Sequence, residues 1–384
     1  MTGWMRVGLF TNNYLPFRGG VSTAVETVRV GLEGLGHHAW VFAPAPHPPS
    51  PDRGGVFRYP SVPAPTYPGF ALPWPYSRRL AARASALALD VYHAQHPFLL
   101  GPAARRLARR ARRPLVFTYH TRYEKYAHYV PLPERFIAAL AIRLSCRFAA
   151  SADLVIAPSA VIADFLRSRE VGTEVAVVPT GVPLGEFCPG DRERSRAALG
   201  LDAGDLLCLY VGRLDREKNV ERVIEAFGQI AGALRPARLF LVGQGSHAAA
   251  LEAAAESSPA RARIHFHGSV PRSALPPVYR AADLFLFASE TETQGLVLAE
   301  AHACGLPVVA VRASGVEEVV RDGETGLLTK ADAGELAAAA IGLLLDPARR
   351  EAMSRAARRH AEGSFSAEGQ VRLLETHYRR LLRG

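Results

Sequence analysis

Cysteine is scarce in this chain and is never clustered. Cys146, Cys188, Cys208 and Cys304 are its four cysteines among 384 residues, and none lies close to another in sequence. That excludes a cysteine-built zinc cage and fits reduced thiols serving as small core residues in a reducing compartment. No run of about twenty apolar residues occurs, so no transmembrane helix is expected. The opening MTGWMRVGLF runs straight into a strand pattern, without the charged, apolar and cleavage regions of a secretory leader, so no signal peptide is expected. Lysine is nearly missing: Lys125, Lys218 and Lys330 stand among 46 basic residues, the rest arginine. What is present is apolar and basic. At 48% hydrophobic residues the chain can bury sizeable cores, and its length suits roughly two or three domains.

The net charge of +10 is unevenly placed. Residues 1–185 carry 21 Arg and Lys against 10 Asp and Glu, so the basic excess belongs to that half. Such asymmetry points to an anionic partner there, either nucleic acid or an acidic membrane surface. Two stretches concentrate it. Ala103–Arg113 reads as a helix with Arg105, Arg106, Arg109 and Arg110 on a basic face and Leu107 with the alanines opposite. Glu134–Ala150 reads as a helix with Phe136, Leu140 and Leu144 on one apolar face, edged by Arg135, Arg143 and Arg147. A basic face beside an arginine-edged apolar face is what a peripheral membrane binder needs, although each also suits an ordinary surface helix. No nucleic-acid motif or basic-aromatic interleaving appears. Between these stretches and the N-terminus, residues 44–76 are dense in proline, with Tyr67, Phe70 and Trp74 among them. These aromatics are expected to pack back onto the domain, with an acceptor pocket or membrane contact as the alternatives.

Short apolar runs alternate with helical patterns along the whole chain, which predicts α/β architecture with parallel sheets. Arg6–Phe10 is a strand, and Gly19-Gly20 then opens a helix with apolar Val21, Ala24, Val25, Val28 and Leu32. The adjacent glycines suit close backbone approach to a phosphate, but their spacing is not G-x-G-x-x-G, so no nicotinamide cofactor is indicated. Leu115–Thr118 is a strand that places His120 at its carboxyl end, the ligand side of an open α/β sheet. After a Pro/Gly-rich connector at 180–190, Leu206–Val211 leads into Gly212, Arg213 and Lys218, two cations on one strand-end loop that suit a diphosphate. Leu239–Val242 ends at Gly243, and Ile264–Gly268 ends at Ser269-Val270. Asp283–Phe287 runs into SETETQGLVLAEAHACGLP, where Glu292 and Glu300 are separated by seven residues. Glu292 falls in the loop, and the amides of Gly295 and Leu296 open the next helix, a seat for an anion. The same residues would also suit a solvated acidic loop capping an ordinary helix.

Taken together, GGVSTAVETV, Gly212-Arg213-Leu214 with Lys218, LFLVGQG, HFHGSV, AADLFLFASE, the Glu292/Glu300 pair and DGETGLL resemble the family 4 retaining glycosyltransferases of the GT-B fold. The resemblance covers nearly the whole chain. It implies two Rossmann-like doubly wound domains facing a central cleft, an acceptor-binding domain at 1–185 and a nucleotide-sugar domain at 186–364, with residues 365–384 crossing back to the first. It also implies roles. Gly19 and Gly20 would meet the donor diphosphate, and His120 the transferred sugar. Arg213 and Lys218 would hold the diphosphate, with Gly212 and Gly243 making room. Glu292 would bind sugar hydroxyls beside Gln294, Gly295 and Leu296. Glu300 would accept ribose hydroxyls, and Ser269 and Val270 would meet the base. No cofactor is expected, and no D-x-D metal motif is evident. The T-E-T-Q-G variant with HTRYEKYAHYVP is similar to diacylglycerol glucosyltransferases. UDP-glucose, a diacylglycerol-type lipid acceptor and peripheral attachment to the inner face of the cell membrane are therefore expected, without nucleic acid. Three alternatives stay open at this point: a GDP-mannose-dependent mannosyltransferase, a sugar-nucleotide epimerase, and a nucleic-acid-binding protein on a sugar-nucleotide fold.

Overall fold

A computed structural model describes residues 3–17, 19–48, 54–64, 70–129 and 132–383, with the backbone alone for 127–129. The chain divides into two compact units, Met1–Gly181 with Ala367–Gly384, and Val182–Ser366.

The first unit begins with β1 (Arg6–Phe10), α1 (Gly20–Gly34), β2 (His38–Pro44), β3 (Val56–Tyr59), β4 (Ser61–Pro63) and β5 (Ala71–Pro73). It continues through α2 (Arg78–Ala86), β6 (Val91–Ala94), α3 (Leu100–Ala111), β7 (Leu115–Thr118), α4 (Glu134–Ala149), β8 (Leu154–Ala157), α5 (Ala160–Ser168) and β9 (Val175–Val177). Seven strands form a parallel sheet in the order β3-β2-β1-β6-β7-β8-β9, and β4 and β5 pair antiparallel. The order reverses between β1 and β6. Ligands bind at such a switch, outside the carboxyl ends of the strands.

Buried-type runs such as Val7–Phe10 and Leu115–Phe117 face helices on both sides, as parallel strands must. The Pro-rich stretch contributes β3 and the β4–β5 hairpin. Phe70 packs edge-on against Phe17 at 5.5 Å, as expected, whereas Trp74 and Tyr76 stand exposed. Tyr67 lies outside the described residues, as do Val130 and Pro131 of the HTRYEKYAHYVP segment.

The second unit runs α6 (Arg192–Ala198), β10 (Leu206–Val211), α7 (Val220–Ala233), β11 (Ala237–Val242), α8 (Ala248–Glu256), β12 (Ile264–Gly268), α9 (Leu275–Ala281), β13 (Leu284–Phe287) and α10 (Leu296–Ala303). It ends with β14 (Val308–Val311), α11 (Ser314–Glu317), β15 (Gly326–Thr329), α12 (Ala333–Leu344) and α13 (Pro347–Ser364). Its six-stranded parallel sheet has the order β12-β11-β10-β13-β14-β15, with the switch between β10 and β13.

The last helix, α14 (Ala367–Leu381), belongs to the first unit. Val371, Leu374 and Tyr378 join the core with β1 and α1. Gly31 of α1 leaves the space that Val371 fills, and Tyr378 meets His93 Nδ1 through its hydroxyl at 2.6 Å.

Candidate functional site

The second unit brings its strand-end motifs together at the β10/β13 switch. Lys218 follows β10, Glu292 follows β13, and their charged groups meet at 2.6 Å. Ser289 donates its hydroxyl to the same Glu292 oxygen at 2.7 Å. Burial alone would raise the Glu292 carboxyl. The charge and hydrogen bond of Lys218, with Ser289, outweigh it and hold the group below its ordinary value. Arg213 is paired as well, with Asp215 and with Glu217, the latter at 2.8 Å. Asp215 in turn accepts from the Ser246 amide and hydroxyl at 2.7 and 2.8 Å, which ties the loop to the start of α8. Charges counted along one loop suggest two cations awaiting an anion; the fold gives each of them an acid.

Gly212 and Gly243 end neighbouring strands in tight contact. Gly243 has φ +151°, and a Cβ there would overlap the Gly212 carbonyl oxygen. Gly295, at φ +77°, is the N-cap of α10 and, as glycine, has no side chain with which to cap it. Gln294 is buried behind it, Leu296 begins the helix, and Ser269 and Val270 follow β12 at the surface.

Glu300 lies one turn inside α10 and is buried. Arg272 places two nitrogens on one of its oxygens, at 3.1 and 2.9 Å, and Tyr279 donates to the other at 3.1 Å. Burial still raises its carboxyl above the ordinary value, against the pull of Arg272 and Tyr279.

In the first unit, Gly19 and Gly20 precede α1. The Ser22 hydroxyl accepts from the Gly19 amide at 2.9 Å, which fixes the turn. A side chain at Gly20 would meet no described atom within 4 Å, so packing does not demand glycine there. His120 follows β7, and its Nε2 lies 2.7 Å from Gln95 Oε1. Burial lowers its imidazole to about 4.

The surface residues separate into two groups. Arg105 bonds Ser151 at 3.1 Å beside the Phe148 ring, and Arg106 bonds the Pro75 carbonyl at 3.0 Å and stacks over Tyr76. Arg109 and Arg110 are exposed. On α4 the expected apolar stripe faces outward: Phe136, Leu140 and Leu144 are 62, 39 and 42% exposed. Phe148, which belongs to the same face in the sequence pattern, is buried instead.

Several residues escaped the sequence reading. Ser289, within the motif, supports Glu292, and Arg272 and Tyr279 support Glu300 from outside it. The strand β6, with His93 inside it and Gln95 and His96 just beyond its end, was missed: it is only four residues long and a buried histidine interrupts it. Gly315 is another. A Cβ there would overlap the Glu292 carbonyl oxygen, so α11 sits directly against the loop that carries Glu292. Gly315→Ala is expected to displace that loop. Transfer should fall roughly 10-fold or more, while the thermal midpoint drops by only a few degrees, since the strain is confined to one loop. Unchanged kinetics in Gly315→Ala would show that the contact does not position Glu292.

Comparison with known proteins follows the same division. Residues 18–186 match the model "Glycosyltransferase Family 4", and residues 191–360 match "Glycosyl transferases group 1". The alpha-monoglucosyldiacylglycerol synthase of Streptococcus pneumoniae is 31% identical over 312 residues, spanning 80% of this chain and 71% of the relative. The enzyme of the same description from Acholeplasma laidlawii is 31% identical over 336 residues, 84% of each chain. A structure of sucrose-phosphate synthase from Thermosynechococcus elongatus superposes with a TM-score of 0.84 at 25% identity, over 98% of this chain and 99% of the other.

Proposed function

The chain belongs to the family 4 glycosyltransferases, and from that premise we propose that it moves glucose from UDP-glucose to a diacylglycerol-type membrane lipid with retention of anomeric configuration. The observation that carries the reading is the Lys218–Glu292–Ser289 cluster at the sheet's switch point, next to the glycine-led start of α10. It sets a hydroxyl-accepting carboxylate beside an ammonium and the first backbone amides of a helix. That combination suits a hexose attached to a diphosphate.

In this reading a diphosphate arriving beside Lys218 shares the ammonium with Glu292, which turns its remaining acceptor capacity to sugar hydroxyls. As the bond from the anomeric carbon to the diphosphate oxygen breaks, negative charge grows on the leaving oxygen. Lys218, Arg213 and the amides at Gly295 and Leu296 stabilise it. The acceptor hydroxyl attacks from the side the diphosphate leaves, and its proton passes to the departing phosphate. The sugar thereby keeps its configuration without a side-chain nucleophile. Glu300 takes the ribose hydroxyls, and Ser269 and Val270 meet the base through their backbone. For the first unit, the family resemblance implies that Gly19 and Gly20 serve the diphosphate and His120 the hexose.

Both curated relatives named above are called glucosyldiacylglycerol synthases, which supports glucose and a diacylglycerol backbone. Among the described residues no helix is long and apolar enough to cross a membrane. In this proposal a lipid acceptor is met at the membrane surface. The outward stripe Phe136, Leu140 and Leu144, with exposed Arg143 and Arg147 and the arginines of α3, has the chemistry for that contact.

Two experiments test these proposals. Purified protein with UDP-glucose and diacylglycerol-containing vesicles should yield a monoglucosyl lipid whose linkage keeps the donor's α configuration. A product made only from GDP-mannose, or none on lipid, would refute the assignment. Vesicles containing anionic lipid should co-sediment the protein at low salt and release it as salt rises. Replacing Phe136, Leu140 and Leu144 together by Ser should weaken vesicle binding at least roughly 10-fold, because each removes exposed apolar area available to the interface. Undiminished binding of that triple variant would remove α4 from the membrane surface.

A further inference from the structure

Gln95 and His120 close neighbouring strands, β6 and β7, beside the switch point of the first sheet. Gln95 is 2% exposed, and its backbone amide donates to the Phe10 carbonyl at the end of β1, at 2.8 Å. Its side chain is thereby set against the His120 ring, with Oε1 2.7 Å from Nε2. An amide oxygen only accepts, so this contact places the imidazole proton on Nε2 and leaves the lone pair on Nδ1. Resting on the reading that His120 serves the transferred hexose, we propose that Gln95 is a positioning residue that fixes His120 as the uncharged Nε2–H tautomer. His120 then meets its partners at Nδ1 as a hydrogen-bond acceptor and takes no part as acid or base.

The partner's neutrality is the point. A carboxylate at position 95 would make the same bond but would draw a second proton onto the ring. The other titratable groups around His120 bring no net charge to it. His93 meets Tyr378 and Thr118 at 2.6 and 2.7 Å, and His96 Nδ1 accepts from the Asn12 amide at 3.1 Å. Both are lowered to about 3, by burial first and by His120 second. On the segment after His120, Arg122 and Glu124 pair at 2.6 Å and offset one another. Among the described residues the buried Gln95 amide nitrogen has no hydrogen-bond partner, so the His120 contact is the one shown for this side chain.

The test is nitrogen-15 histidine spectroscopy on the full chain, with His120→Asn to assign the signal. Wild type should show a neutral Nε2–H ring throughout pH 5.5 to 8. An Nδ1–H ring, or titration near the ordinary histidine value of about 6.5, overturns the proposal. Gln95→Glu keeps the accepting oxygen and adds a charge. His120 should then titrate near neutrality, and kcat/KM for transfer should gain a limb that rises with pH as the ring loses its extra proton. Gln95→Leu should lower kcat/KM roughly 3- to 10-fold, the loss of one neutral hydrogen bond, with no new limb. A Gln95→Glu profile identical to wild type would overturn the proposal. If a variant does not fold, the wild-type spectra alone decide. If wild type forms no glucosyl lipid from UDP-glucose, the proposed donor and acceptor fall, and the spectra still decide the role of Gln95.

Discussion

Lys218→Met is expected to lower kcat/KM for transfer by at least about 100-fold, the scale of losing one electrostatic contact to a leaving group. The side chain that replaces it has similar length and no charge, so packing around β10 is largely kept. Two losses combine. The leaving diphosphate forfeits its ammonium, and Glu292 forfeits the partner that keeps it ionised in a buried place. Burial is the largest influence on Glu292 and pushes its carboxyl up; Lys218 is what reverses the direction. Without Lys218 the carboxyl should rise above its ordinary value, and the residual activity should climb with pH as Glu292 ionises.

The stability linkage changes sign with it. In wild type the depressed carboxyl contributes stability that is present above its unfolded pKa, about 4.3, and is lost as pH falls through the lower folded value. In Lys218→Met the raised carboxyl is comfortable at low pH and costs stability as pH rises through its folded value. Steady-state kinetics between pH 5 and 9, and thermal unfolding carried down to about pH 3, would read both. Wild-type kcat/KM in Lys218→Met, with no new pH limb, would mean that the cluster is not the donor site.

Much of the second unit was legible in the sequence because its signals are local. The two strands that lead into the site, β10 and β13, are uninterrupted apolar runs followed by a small residue, Gly212 and Ala288. Leu206–Val211 was read with its boundaries as the structure has them, and the Asp283–Phe287 run differs by one residue. The Glu292/Glu300 spacing is visible for the same reason. What was not legible is non-local. Nothing in Val91–Ala94 announces a strand while His93 stands in it. That histidine is tolerated in the core because Tyr378, 285 residues away, supplies a hydrogen bond. Arg272 and Tyr279 sit in a turn and a short helix, and only folding places them on Glu300. The α4 stripe was legible as a pattern. Whether it would be covered was not, because the same spacing serves a buried face and a docking face.

The support of Glu300 carries the second large effect. Arg272→Met is expected to raise the KM for the nucleotide sugar roughly 10- to 100-fold, the range for hydrogen bonds made by a charged group, with a smaller change in kcat. Tyr279→Phe removes a neutral donor and should raise it roughly 3- to 10-fold. Arg272 is engaged through two nitrogens on one carboxylate oxygen and lies over the Phe187 ring at 4.9 Å, so it orients Glu300 as well as charging it. Burial already lifts the Glu300 carboxyl, and removing the guanidinium takes away the main opposing influence. The sign follows. A carboxyl raised above its unfolded value stabilises the fold below that unfolded value and loses the contribution as pH rises through the folded one. Donor binding, by contrast, needs the ionised form to accept ribose hydroxyls. In Arg272→Met, stability should therefore fall with rising pH while donor affinity improves, two trends of opposite slope in one protein. A variant that had merely loosened the second unit would lose both together. Parallel trends in thermal midpoint and KM between pH 5 and 8 would thus reject the role assigned to Glu300, and opposed trends would tie its charge to recognition of the donor.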